Sequence, residues 1–105
     1  MSKGYWVVRS DVILADEYSK YIEIASNVIN KYDGKFIVRG GIQTEFEEKG
    51  YSRTVVVEFS SYKKAIECYQ SSEYQDALKI VKNSAKRLVS IVNCLLYTSD
   101  AADEQ

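Results

Sequence analysis

The sequence predicts an α+β fold of order βαββαβ, an antiparallel four-stranded sheet with both helices on one face. Four runs are rich in β-branched and aromatic residues, and two stretches repeat their apolar residues every three or four positions. The second and third β-type runs are joined by a short Gly-containing turn, which makes them a hairpin. At 105 residues the chain makes one domain, and a domain this small buries only about two-thirds of the surface its unfolded chain exposes.

Tyr5-Trp6-Val7-Val8-Arg9-Ser10-Asp11-Val12 reads as the first strand. Tyr18, Tyr21, Ile22, Ala25, Ile29 and Tyr32 then mark one apolar helix face, with Asp16 and Glu17 in the first turn, where they complement the helix dipole. Asp33-Gly34 ends this helix, Gly34 supplying the left-handed residue. The second strand runs from Lys35 to Arg39, is bulged at Gly40-Gly41, and resumes over Ile42–Phe46 before the turn Glu47-Glu48-Lys49-Gly50. Arg53–Phe59 is the third strand. Ser60 or Ser61 caps a helix carrying Tyr62, Ala65, Ile66 and Tyr69 on one side. Ser72-Glu73-Tyr74-Gln75 fits a capping box and opens a further helical segment with Tyr74, Ala77, Leu78 and Val81 inward. Arg87–Asn93 is the fourth strand.

This order is the ferredoxin-like split βαβ arrangement. Strand alternation assigns Trp6, Val8, Phe36, Val38, Val55, Val57, Phe59, Val89 and Ile91 to the helix side. Tyr5, Val7, Arg9, Ile37, Arg39, Thr54, Val56, Glu58, Leu88, Ser90 and Val92 fall on the other. That second face is too apolar for open solvent and too charged for a sealed core, so a homodimer paired through its sheet faces around a partly polar cavity is expected.

Composition narrows the function. The chain is 46% hydrophobic and 28% charged, with a net charge of −1 and no clustered basic residues, so neither nucleic acid nor membrane is an expected partner. The start carries no targeting signal and no apolar run reaches transmembrane length, which reads as cytoplasmic. Histidine is absent, and Cys68 and Cys94 lack metal-type spacing. Ordinary Ser-His or Cys-His triads are excluded, and no metal site or cofactor is expected. Cys68 reads as a small buried hydrophobe.

Four motifs carry a resemblance: Tyr5-Trp6-Val7-Val8, the stretch from Tyr32 to Gly41, the stretch from Arg53 to Tyr62, and Cys68-Tyr69-Gln70-Ser71-Ser72-Glu73-Tyr74-Gln75. Together they resemble the domain-of-unknown-function 1330 family, over residues 3 to 93. The resemblance implies the dimeric α+β barrel superfamily, whose protomers pair sheet to sheet. That superfamily includes cofactor-independent monooxygenases, lactone isomerases and cyclases, haem-handling enzymes and proteins that only bind. The chain departs from the family at Leu14-Ala15, where Asp-Pro is usual, and at Ser72, where Pro is common.

After Asn93 the string Cys94-Leu95-Leu96-Tyr97-Thr98-Ser99-Asp100-Ala101-Ala102-Asp103-Glu104 resembles, codon for codon, the translation of a transposase-based sequencing adapter. Residues 1–93 are thus expected to form the domain and 94–105 to be a non-native tail, the other reading being a natural acidic tail.

The sharpest functional cluster is Arg9, Arg39 and Glu58 with Tyr5 and Thr54. An arginine beneath an apolar roof holds a carboxylate or enolate bidentately, and a desolvated Glu58 would serve as a general base. The plainer alternative is a structural ion pair of Glu58 with Arg39 or Arg9. Arg39-Gly40-Gly41 precedes no helix and so is no phosphate loop. Tyr69 and Tyr74 flank the Ser71-Ser72 break, and Tyr69 is placed at the cavity mouth. Three functions follow: a homodimer binding a small anionic or aromatic molecule; a cofactor-independent isomerase or monooxygenase, with Arg39 as anchor and Glu58 as proton shuttle; or a ligand-free dimerisation module.

Overall fold

The computed structural model describes residues 2–95. Its elements are β1 (Gly4–Val12), α1 (Ala15–Lys31), β2 (Lys35–Arg39), β3 (Arg53–Phe59), α2 (Tyr62–Gln70), α3 (Ser72–Ser84) and β4 (Ala85–Asn93). The four strands lie in the order β2-β3-β1-β4, and each neighbouring pair is antiparallel. This is the ferredoxin-like arrangement that the element order predicts. The expected adapter tail begins at Cys94; its residues 96–105 lie outside the described residues.

The helices are held by local chemistry. Ser61 Oγ accepts from the Lys64 N–H at 3.0 Å and caps α2. The cap of α3 is Ser71, whose Oγ accepts from the Tyr74 N–H at 3.2 Å, one residue earlier than the expected capping box. Gln75 is therefore free to donate to the Tyr69 carbonyl at 2.6 Å instead. At the end of α1 the left-handed residue is Asp33, with φ 59°, and not Gly34. Gly34 answers a different constraint: a Cβ there would stand 2.5 Å from Ile29 Cγ2 and 2.8 Å from the Phe59 ring.

β2 departs most from expectation. Its irregularity falls between Phe36 and Val38, so Ile37 is the extra residue; Val38 then pairs with Val56 and Arg39 with Val55. Because side chains alternate with a period of two, one extra residue reverses the faces of everything after it. Val38, expected against the helices, lies on the open face, and Arg39 lies on the helix face. Gly40 and Gly41 lie beyond the strand with φ +74° and +90°. These left-handed turns lead the chain out of the sheet, and Ile42–Phe46 forms no strand.

The core lies between the sheet and the helices. Trp6, Val8, Val55, Val57 and Phe59 pack against Tyr21, Ala25 and Ile29 of α1 and against Ala65, Cys68, Tyr74, Ala77 and Val81 of α2 and α3. Trp6 is its centre: the ring lies 4.9 Å from Tyr74, 5.3 Å from Phe59 and 5.7 Å from Tyr69. Its indole N–H donates to the Ala65 carbonyl at 2.9 Å, satisfying the one polar atom that such burial would strand. Burial pushes the Cys68 thiol up to about 12, which suits the packing role expected of it. Tyr62, expected inward, is exposed, because at this point the α2 backbone itself meets β1.

That meeting is tight. A Cβ on Gly4 would lie 2.5 Å from Tyr62 Cα and 2.7 Å from the Ser61 carbonyl oxygen, and backbone cannot swing aside as a side chain does. Gly4→Ala is expected to cost about 1–3 kcal/mol, as overpacking does, read as a lower denaturation midpoint at unchanged m-value; an unchanged midpoint would show that β1 and α2 separate freely.

Candidate functional site

The open face of the sheet is built in rows that the strand register fixes. Lys35, Glu58, Tyr5 and Val92 form one row, and Val38, Val56, Val7 and Ser90 the next. Thr54, Arg9 and Leu88 form a third. The aliphatic side chains here remain open: Val7, Val38, Leu88 and Val92 are each 37–46% exposed.

Glu58 is held at one end of this face. Tyr5 Oη donates to its Oε2 at 3.1 Å and Lys3 Nζ to its Oε1 at 3.3 Å. The Tyr5 hydrogen bond first, then Lys3, holds the Glu58 carboxyl below its usual range, whereas partial burial first and Glu58 second push the Tyr5 phenol up. Glu58 is therefore an ionised acceptor with both oxygens engaged.

Arg9 and Thr54 are held at the other end by the loop between β2 and β3. Arg9 Nη2 donates to Glu45 Oε2 and to the Glu48 carbonyl, both at 2.9 Å, and its guanidinium lies 5.4 Å from the Tyr51 ring centroid. Thr54 Oγ1 donates to Gln43 Oε1 at 2.5 Å. The Tyr51 N–H bonds Glu45 Oε2 at 2.8 Å and is the main reason the Glu45 carboxyl titrates low, with Arg9 adding to it. The loop thus straps one end of the face, leaving Ile42 and Phe46 in solvent.

The structure brings together Tyr5 with Glu58, and Arg9 with Thr54, on the open face. It does not bring Arg39 to them. Past the Ile37 bulge Arg39 stacks on Phe36, 4.0 Å from the ring centroid, and donates to Ser26 Oγ of α1 at 2.9 Å. Arg39 and Glu58 therefore lie on opposite sides of the sheet. Tyr69 is likewise on the helix side, its ring 5.1 Å from that of Tyr74.

A second polar cluster lies on that helix side. Across β3, β1 and β4 the row reads Arg53, Ser10, Arg87. Arg53 Nε donates to Tyr18 Oη at 3.1 Å, and Arg87 donates to Tyr21 Oη at 2.8 Å and to Tyr74 Oη at 3.3 Å. The Tyr21 and Tyr74 hydroxyls share a bond of 2.5 Å. Burial raises the pKa of both phenols, so both are neutral beside the cation. Arg87 was not among the site residues expected from sequence. The available signal was its place in the inward register with Val89 and Ile91, where a charge needs a reason.

A four-stranded sheet with a single layer of helices on one side and an open aliphatic face on the other defines the class: a ferredoxin-like α+β domain. Within that class the chain belongs to the family described as Domain of unknown function (DUF1330), which it matches over residues 3–95. No curated protein matches it. Among solved structures it is similar to a dimeric ferredoxin-like protein of unknown function from Jannaschia sp. CCS1, with 18% identity, a TM-score of 0.67, and 86% of this chain and 97% of that one covered. It is also similar to a protein of unknown function from Rhodopseudomonas palustris, with 13% identity, a TM-score of 0.66 and coverages of 87% and 81%. A third similar structure is SnoaB, a cofactor-independent oxygenase from Streptomyces nogalater, with 8% identity, a TM-score of 0.57 and coverages of 88% and 92%. At these identities the likeness is one of fold.

Glu45 and Glu58 titrate below their ordinary value of 4.5 in the folded chain. Both therefore favour the folded state above that pH, and their contribution is lost as pH falls through the lower folded values. Tyr5→Phe removes the largest cause for Glu58, so its titration midpoint, followed by side-chain carboxyl NMR, is expected to move upward while that of Glu45 stays put. An unmoved Glu58 midpoint would mean that the Tyr5 bond does not persist in solution.

Proposed function

We propose that the chain acts as a homodimer, joined open face to open face, that holds a small aromatic molecule between its two sheets. The observation that carries this is the open face itself: its aliphatic rows stand exposed while Arg9 and Lys3 are already paired within the protomer and the remaining lysines, Lys35 and Lys86, are confined to its edge strands. Such a face gains by meeting another apolar surface and has little to lose in desolvation when it does. The dimeric ferredoxin-like neighbour from Jannaschia supports the assembly. Of the two ligand classes expected, aromatic fits this face better than anionic, because Arg9 is bound to Glu45 and Lys3 to Glu58. Tyr5, Arg9, Thr54 and Glu58 would line the polar margins of the cavity.

The enzyme reading, which took Arg39 as anchor and Glu58 as proton shuttle, loses its geometry because the two groups are on opposite faces of the sheet. A carboxylate held below its usual pKa is also a weaker base.

Light scattering and native mass spectrometry test the proposal together. The wild-type chain is expected to run as a dimer carrying a reproducible small adduct, and Val7→Lys to weaken the dimer by about 100-fold or more, as an unpaired charge at a buried apolar contact does. A bare dimer would reduce the protein to a ligand-free dimerisation module, and a wild-type monomer would overturn the assembly.

A further inference from the structure

We propose that the cavity between α3 and the edge strand β4 binds a small organic carboxylate, with Arg87 as its anchor. The cavity has a volume of about 500 Å³. Lys79, Lys82 and Arg87 contribute its charge, Leu78, Val81 and Tyr69 most of its apolar wall, and among the described residues no acidic side chain lines it. An apolar wall beside three cations suits a hydrocarbon or aromatic body that ends in a carboxylate.

The state of Arg87 is the stronger reason. It lies under α3 on the inward register of β4, and among the described residues no carboxylate is within ion-pair distance of it. Its hydrogen-bond partners, Tyr21 and Tyr74, are neutral phenols held protonated by their burial. A guanidinium has five N–H donors, and these two bonds, one from each terminal nitrogen, leave three without a partner among the described residues. They also fix the plane of the fork, so an incoming carboxylate meets donors already oriented. A half-buried cation without a counter-charge is costly to keep, and a bound anion offsets that cost.

The lysines that line the cavity beside Arg87 point the same way. Lys82 makes no ion pair among the described residues, and Lys79 makes only an exposed one with Asp76 at 3.5 Å. Positive charge is thus left over here beside a half-buried guanidinium, whereas on the open face Arg9 and Lys3 are neutralised and the unpaired Lys35 and Lys86 are exposed at the edge strands. This site lies across the sheet from the proposed dimer contact and stands whether or not that contact forms.

Benzoate is a suitable probe, with benzamide as its neutral isostere and inorganic phosphate as an anion without an apolar body. In ¹H–¹⁵N NMR of the full chain, benzoate is expected to shift the Arg87 Nε–H signal and the amides of residues 78–87 saturably, at least tenfold more tightly than benzamide or phosphate. Lys82→Gln, on the exposed side of α3, is expected to weaken benzoate about threefold with an unchanged fold. Arg87→Lys keeps the charge but loses the fork, and is expected to weaken benzoate tenfold or more. Equal binding of benzamide would overturn the anion assignment, and equal binding of phosphate the carboxylate class. Shifts confined to Tyr5, Val7 and Val92 would place the ligand at the dimer face instead. Repeating the titration on Val7→Lys separates the two sites, since only the open-face reading predicts a loss there.

Discussion

Everything in this domain depends on how β1 divides its side chains. It is hydrogen-bonded on both edges, to β3 and β4, and its alternate residues are committed to opposite sides. Trp6 and Val8 build the core; Tyr5, Val7 and Arg9 build the open face. Because Trp6 touches Phe59, Tyr69 and Tyr74 and bonds the α2 backbone, a slip of β1 by one residue would lose the core and bury Arg9. The pairing register is therefore fixed by the core, and the open face inherits its pattern from a constraint on the other side of the sheet.

The two faces treat charge differently, and the two proposed ligand sites differ accordingly. On the open face Lys3 meets Glu58 and Arg9 meets Glu45, while Lys35 and Lys86, without an ion pair among the described residues, stand exposed on the edge strands β2 and β4. On the helix side Arg53 and Arg87 meet tyrosines. A phenol is a good hydrogen-bond acceptor for a guanidinium but brings no counter-charge while protonated. The centre of one side is thus neutralised within the protomer, whereas the other side keeps half-buried cations without a counter-charge among the described residues.

The fold was legible because it rests on periodicities. The period of two in β1, β3 and β4 and the helical spacing of Tyr18, Tyr21, Ala25 and Ile29 each name the side they bury. The candidate site was less legible, since it rests on one extra residue. Ile37 suits either face of a strand, so nothing in its chemistry marks it as the bulge. The nearby Gly40-Gly41 pair carries the conspicuous signature and in fact ends the strand. Arg39 lies on the face opposite to the one its alternation predicts for that reason. Ile42, Thr44 and Phe46 alternate like a strand, but the chain has already left the sheet, and the polar residues between them, Gln43 and Glu45, reach Thr54 and Arg9 instead. Arg87 could be placed inward by alternation, yet its meaning needed the tyrosines of two helices that are distant in sequence.

The lone tryptophan has a further consequence. Trp6 is 2% exposed, ringed by aromatic side chains from β3, α2 and α3, and far from solvent on either side of the sheet. Its emission should be blue-shifted and fed by energy transfer from neighbouring tyrosines. That optical signal will follow the separation of the helical layer from the sheet. It would stay nearly silent if two protomers of the proposed dimer parted at the open face, so the chain carries its own spectroscopic means of distinguishing unfolding from such a dissociation.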